Sequence, residues 1–142
     1  MCDFAVSGLS SGGFMAVQYG VAYSASTMGV GVVVGRPYNC AFVNFGGITT
    51  CMKGSPVGDA SYGAAQAFAG LDQIDAVANL ARQRVYLFSG TKDSVVLPPV
   101  MDAVGAFYQR AGATELTFVK DLPAGHAFVS ADFGGACDVN AS

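Results

Sequence analysis

Eight residues, Val6-Ser7-Gly8-Leu9-Ser10-Ser11-Gly12-Gly13, constrain the fold of this chain more than any other stretch. They run an apolar strand end into a Gly-x-Ser-x-Gly box and then into a helix. A serine in such a box sits on a turn so sharp that the residues two before and two after it must be tiny. Gly8 and Gly12 meet that demand around Ser10. Moving the frame by one, to centre it on Ser11, would put Leu9 where the turn tolerates almost no side chain. Ser10 is therefore the candidate nucleophile. The alternative is a glycine-rich turn with an idle serine, and five residues alone do not decide between the two.

The rest of the chain supplies a frame for that turn. Residues 3–7 read as a short strand, and Phe14 to about Ala25 carries Met15, Ala16, Val17, Val21 and Ala22, a set that suits a helix packed close beneath a sheet. Met28 to Gly35 is a β-branched run, the pattern of a parallel strand covered on both faces. Cys40 to Ala69 is rich in Gly, Ser, Thr and aromatics without clear period, and reads as a surface loop region with one short helix. Leu71, Ile74, Val77 and Ala81 recur at helical spacing, predicting a helix over 71–82 with Asp72 and Asp75 near its N-terminus. Val85 to Phe88 is a buried strand leading into Gly90-Thr91-Lys92-Asp93. Pro98 and Pro99 start a helix with Val100, Val104 and Phe107 on one face, and Gly112 stops it. Leu116 to Val119 is the last strand, followed by a loop that runs from Asp121 to His126. This alternation predicts one α/β domain over residues 1–142: a parallel sheet of about four strands with flanking helices.

On such a sheet Ser10, Asp93 and His126 each follow the carboxyl end of a strand, so all three emerge on one edge. A serine hydroxyl is a weak nucleophile until an imidazole takes its proton, and the imidazole needs a carboxylate to fix its tautomer. His126 is the only histidine in the chain, so a triad has no other base. Asp121 competes for the acid role. Asp93 is preferred because it follows its own strand, whereas Asp121 precedes His126 on the same loop. The order Ser, Asp, His is the one found in α/β-hydrolases.

Composition removes other classes. Only 12% of the 142 residues are charged and 52% are hydrophobic, against ~25% charged in ordinary soluble domains. The net charge is -3 and the seven basic residues never cluster, which leaves no electrostatic footprint for nucleic acid or an anionic membrane. The apolar runs fall short of the ~20 residues of a membrane span, so no membrane insertion is expected. Met1-Cys2-Asp3 leads at once into the first strand without a basic-then-apolar leader, and a segment removed upstream stays open. Four cysteines fit no zinc spacing. Cys40 and Cys51 flank a ten-residue loop that a disulfide could close, which points to an oxidising compartment; two buried thiols are the alternative. A pairing of Cys2 with Cys137 is a second, less secure one. The Asn140-Ala141-Ser142 sequon is too short a signal to assign a glycan.

The run from Ser7 to Ser24, together with Gly35 to Ala41, Ile74 to Leu80, Ser89 to Val95, and Gly125 to Val129 with Asp132-Phe133-Gly134, strongly resembles extracellular poly(3-hydroxybutyrate) depolymerases, most closely the single-domain type with a circularly permuted α/β-hydrolase fold. The resemblance runs over nearly the whole chain. It implies Ser10 as nucleophile, Asp93 as acid, His126 as base and the Ser11 backbone N–H as one oxyanion donor. It also supports pairing of Cys40 with Cys51, secretion or a periplasmic location, and chemistry without metal or organic cofactor. The implied substrate is a polyester of short 3-hydroxy acids attacked through an acyl-enzyme. A general esterase or aromatic-polyester hydrolase is the enzymatic alternative.

One departure from the pattern stands out. In the permuted family the chain continues beyond the catalytic histidine into a second half that carries the remaining strands and a His-Gly-Cys loop with the other oxyanion donor. The sequence stops at Ser142 and has no second histidine. A truncated version of the fold is therefore expected, with the sheet edge beside the nucleophile strand open to pairing. Such a chain retains weak esterase activity, covers the edge by forming a homo-oligomer, or acts as a non-catalytic assembly module.

Overall fold

Strands β1 (Phe4–Leu9), β2 (Thr27–Val33), β3 (Arg84–Phe88) and β4 (Leu116–Val119) pair in parallel in the order β1-β2-β3-β4. The computed structural model describes residues 3–140. Helices α1 (Ser11–Ala22), α2 (Cys40–Val43), α3 (Gly47–Lys53), α4 (Gly58–Gly70) and α5 (Pro98–Arg110) lie between the strands, with a 3₁₀ helix at Val77–Arg82. Parallel neighbours can be joined only by crossovers, and crossovers are right-handed. Since each step moves to the next strand in the same direction, every crossover falls on the same side of the sheet.

That side holds the core. The cross-strand rows Val6, Val30, Val85, Leu116 and Gly8, Val32, Leu87, Phe118 face it. Ala16, Val17 and Val21 of α1 and Met101, Val104, Phe107 and Tyr108 of α5 pack against these rows. Phe107 and Tyr108 are fully buried with their rings edge to face at 5.1 Å, and each contributes about 1.5–3 kcal/mol by burial. The Tyr108 hydroxyl has no hydrogen-bond partner among the described residues, and burial pushes its pKa well above the ordinary tyrosine value. Buried Gln83 donates to the carbonyls of Gly20 at 2.7 Å and Thr27 at 3.0 Å, stitching the end of α1 to the start of β2.

The opposite side is left largely uncovered by the described residues. Ala5, Ser7, Tyr86 and Thr117 are exposed there, so β2 is not covered on both faces as its sequence predicts. The reason lies in its alternation: Val30 and Val32 point into the core while Gly29 and Gly31 fall on the open side, half-buried. A run that reads as uniformly β-branched is apolar on one face and small on the other. Only toward the strands' carboxyl ends is the open side partly roofed, where Leu122, Phe128 and Val129 line a cavity with Val33, Tyr86, Phe88 and Val119.

Two further stretches differ from expectation. Residues 40–69 form α2, α3 and most of α4 rather than a loop with one short helix. The fully buried residues of α4 are Gly58, Ser61 and Ala65, small residues at helical spacing that a search for apolar period misses, while its large side chains Tyr62 and Phe68 pack only partly buried against the core. The helix predicted over 71–82 shrinks to the 3₁₀ segment at 77–82. Asp72 takes φ 56° just after α4, and the Asp75 carboxylate accepts from the Ala25 N–H at 2.9 Å instead of serving a helix end. Cys40 and Cys51 form a disulfide that joins α2 to α3. The Cys2–Cys137 pairing involves a residue outside the described ones.

Candidate active site

Ser10 occupies the turn between β1 and α1 with φ 56° and ψ -116°. Residues with a Cβ avoid this region, at a cost on the order of 1–3 kcal/mol. Backbone bonds hold it there: the Ser10 N–H donates to the Val33 carbonyl at 3.0 Å and the Ser10 carbonyl accepts from the Phe14 N–H at 2.8 Å. The Ser10 hydroxyl makes no capping bond to α1, which leaves it free of the helix. Ser11 is the first residue of α1, so its N–H has no acceptor within the helix and lies at the positive end of the helix dipole.

The two box glycines are not equivalent. A Cβ on Gly8 would collide with the backbone of Gly12, whereas a Cβ on Gly12 would meet nothing within 4 Å. The sharp turn therefore demands the absent side chain at Gly8 only. The smallness expected at Gly12 from the box is therefore not required by the turn.

Asp93 and His126 meet across the loops that follow β3 and β4. Those loops are laced together by backbone bonds: the Thr91 N–H donates to the Leu122 carbonyl at 2.9 Å and the Lys92 N–H to the Ala124 carbonyl at 3.0 Å. The Asp93 side chain is divided between two tasks. Its Oδ1 accepts from the Val95 and Val96 N–H groups at 2.8 and 2.9 Å, which fixes the carboxylate plane. Its Oδ2 lies 2.8 Å from His126 Nδ1. Both residues are buried, at 3% and 8% exposure. A carboxylate only accepts, so Nδ1 carries the hydrogen and Nε2 of the neutral ring is left as an acceptor. Asp121 is exposed and takes no part in this pair.

Strand register brings the three residues to one edge, because Leu9, Val33, Phe88 and Val119 are successive partners at the strands' carboxyl ends. Ser10, Asp93 and His126 each lie beyond that row. Among the described residues no hydrogen bond joins the Ser10 hydroxyl to His126. Val34, Val96 and Val100 form a small buried cluster here with Leu9 and Phe14 packed against it, so the elbow and the Asp93 turn share one apolar support.

Two further contacts near the site join residues far apart in the sequence. The Arg36 guanidinium lies 4.3 Å over the Phe14 ring, where burial lowers its pKa from the ordinary value. The Asn140 side chain hydrogen-bonds to the backbone of both His126 and Ser94. Neither contact has a local signal, since Phe14 and Arg36 are brought together by the β1-α1-β2 crossover and Asn140 by the last loop.

No family model matches the chain. Among curated proteins, a poly(3-hydroxybutyrate) depolymerase of Delftia acidovorans is 47% identical over 137 residues, covering 93% of this chain and 28% of that protein. A polyhydroxybutyrate depolymerase of Talaromyces funiculosus is 39% identical over 140 residues, covering 96% of this chain and 40% of the relative. Among solved structures, the PHB depolymerase from Penicillium funiculosum superposes with a TM-score of 0.86 at 35% identity, over 97% of this chain and 44% of that one. Acyl-protein thioesterase 2 of Zea mays, at 15% identity and TM-score 0.56 over 89% of this chain and 50% of that one, shares the fold. The chain thus spans well under half the length of the depolymerases it matches, and does so over nearly its own whole length. In sequence and in fold the chain is similar to part of the PHB depolymerases, and its parallel sheet is that of the α/β-hydrolase fold.

Proposed function

We propose, with kinship to the PHB depolymerases as the premise, that this chain carries the catalytic centre of a serine ester hydrolase acting on polyesters of short 3-hydroxy acids. The observation that supports it most is the buried Asp93–His126 pair, with its 2.8 Å bond, on the same sheet edge as the strained Ser10. In this reading the Ser10 Oγ attacks the ester carbonyl while His126 Nε2 takes its proton. The carbonyl oxygen becomes an oxyanion held by the Ser11 N–H. The C–O bond to the leaving alcohol then breaks, His126 returns the proton to that oxygen, and an acyl-enzyme remains on Ser10. Water, deprotonated by His126, attacks the acyl carbon and releases the acid and free serine. Asp93 holds the imidazole in the required tautomer throughout. Residues 1–142 act as one catalytic domain, secreted or periplasmic, as the disulfide favours.

Because loss of a single oxyanion donor costs ~10²–10³ in turnover, labelling of the serine is a better first test than turnover. Intact mass after exposure to a fluorophosphonate is expected to rise by a single adduct on the parent and not on Ser10→Ala. A folded parent that takes up no adduct overturns the reading. Soluble esters and aromatic polyesters, tested beside 3-hydroxybutyrate oligomers, rank the substrates.

The sheet side left largely uncovered by the described residues supports a second reading, that copies of the chain associate. Tyr86 and Phe4 are 45% and 52% exposed on it or at its edge, and β1 and β4 are both edge strands, which invite pairing. Sedimentation at micromolar concentration is expected to give a dimer or larger species; a stable monomer ends this reading and leaves the hydrolase untouched.

A further inference from the structure

The last described loop returns to the site from outside, and its closing residue joins both halves of the acid–base pair. Asn140 Oδ1 accepts from the His126 N–H at 2.9 Å and from the Ser94 N–H at 3.4 Å, while its Nδ2 donates to the Ser94 hydroxyl at 2.9 Å. One amide thus bridges the residue that bears the imidazole and the neighbour of the residue that bears the carboxylate. The approach is reinforced on either side. The Gly125 N–H donates to the Cys137 carbonyl at 2.7 Å, and Lys92 pairs with Asp138 at 3.2 Å. A Cβ on Gly125 would run into the Val139 carbonyl, so the backbone on the N-terminal side of His126 is shaped to receive this segment.

We infer that Asn140 is a positioning residue: it sets the depth and orientation of the His126 loop against the Asp93 turn, and so the aim of the imidazole. This rests on the hydrolase reading of the site but goes beyond it, since Asn140 touches no reacting atom. Its chemistry suits the task. A carboxamide offers an acceptor to two backbone N–H groups and a donor to a hydroxyl at once. The surrounding exposed ion pair is of the kind that contributes little by itself. The bond to His126 acts where the loop enters the site, one residue from the Gly125 contact with Cys137.

The test compares the parent, Asn140→Ala and Asn140→Asp. Asp keeps the acceptor for both N–H groups and can accept from the Ser94 hydroxyl. Two readouts are used: the fluorophosphonate labelling rate, and the downfield Nδ1 proton resonance of His126, which is unambiguous because the chain has one histidine. Asn140→Ala is expected to label about 10- to 100-fold more slowly, as misaimed general bases do, and to broaden or lose the Nδ1 resonance while the rest of the spectrum stays folded. Asn140→Asp is expected to recover most of both. Equal labelling and an intact resonance in Asn140→Ala overturn the assignment, as does a loss that Asp fails to restore. Should the parent itself not label, the hydrolase reading fails, while the resonance still reports whether Asn140 orders the His126–Asp93 pair.

Discussion

Asp93→Asn is expected to lower ester turnover and fluorophosphonate labelling by about 10³–10⁴, on the order of 4–5.5 kcal/mol of transition-state stabilisation, while leaving the fold in place. The argument follows from how the carboxylate is shared. In the parent, Oδ1 accepts two backbone N–H bonds from Val95 and Val96 and Oδ2 accepts from His126 Nδ1. An asparagine has one acceptor end and one donor end. If its oxygen serves Val95 and Val96, its NH₂ faces His126 Nδ1 and forces the ring into the other tautomer, with Nε2 protonated and unable to take a proton from Ser10. If the amide flips, its NH₂ confronts two backbone donors. The first arrangement removes the base, and the second, which keeps the tautomer, is disfavoured because it sets a donor against two donors. The check is the labelling rate of a variant whose thermal transition and amide spectrum match the parent; a rate within tenfold of the parent would exclude Asp93 from the acid role.

The second large effect separates two glycines that look alike in sequence. Gly8→Ala puts a methyl group into the backbone of Gly12. Backbone has no flexible end to yield, so β1 and the start of α1 must part. A loss of roughly 3 kcal/mol or more is expected, at or beyond the upper end of ordinary overpacking, with the labelling reaction lost as the elbow opens. Gly12→Ala meets open space and no positive φ. There the better helix former is expected to be neutral or to stabilise by up to ~1 kcal/mol. Denaturant titrations of the pair decide the matter: similar midpoints for the two variants would mean that the turn is not limited by the Gly8 approach.

Much of this was legible in the chain because the signals were local. The four strands, α1 and α5 come from β-branched runs, an elbow box and proline and glycine punctuation, and β4 falls on Leu116–Val119 as read. Helix α4 was hidden because its fully buried positions are Gly58, Ser61 and Ala65, small residues that mark no strong hydrophobic period, and its Tyr62 and Phe68 are only partly buried. The 71–82 helix was a false signal of the opposite kind: Leu71, Ile74 and Val77 have the right spacing, yet Leu71 is 68% exposed because α4 ends beside it in a left-handed Asp72. At the site, residue types and chain order pointed to Ser10, Asp93 and His126 as candidates. The sharing of the Asp93 oxygens, the Asn140 bridge and the Arg36–Phe14 stack depend on loops that meet only after the sheet has formed.

That the strands stand in space in the order in which they occur along the chain has a consequence for synthesis. A nascent chain emerging from the ribosome can pair β2 with β1, then β3 with β2, then β4 with β3, each new strand finding its partner already made. Among the four described strands, none must be threaded between two others. The unit grows from one edge like a wall laid course by course. The loop that carries His126 follows β4, so His126 arrives only when Ser10 and Asp93 are already on a formed sheet.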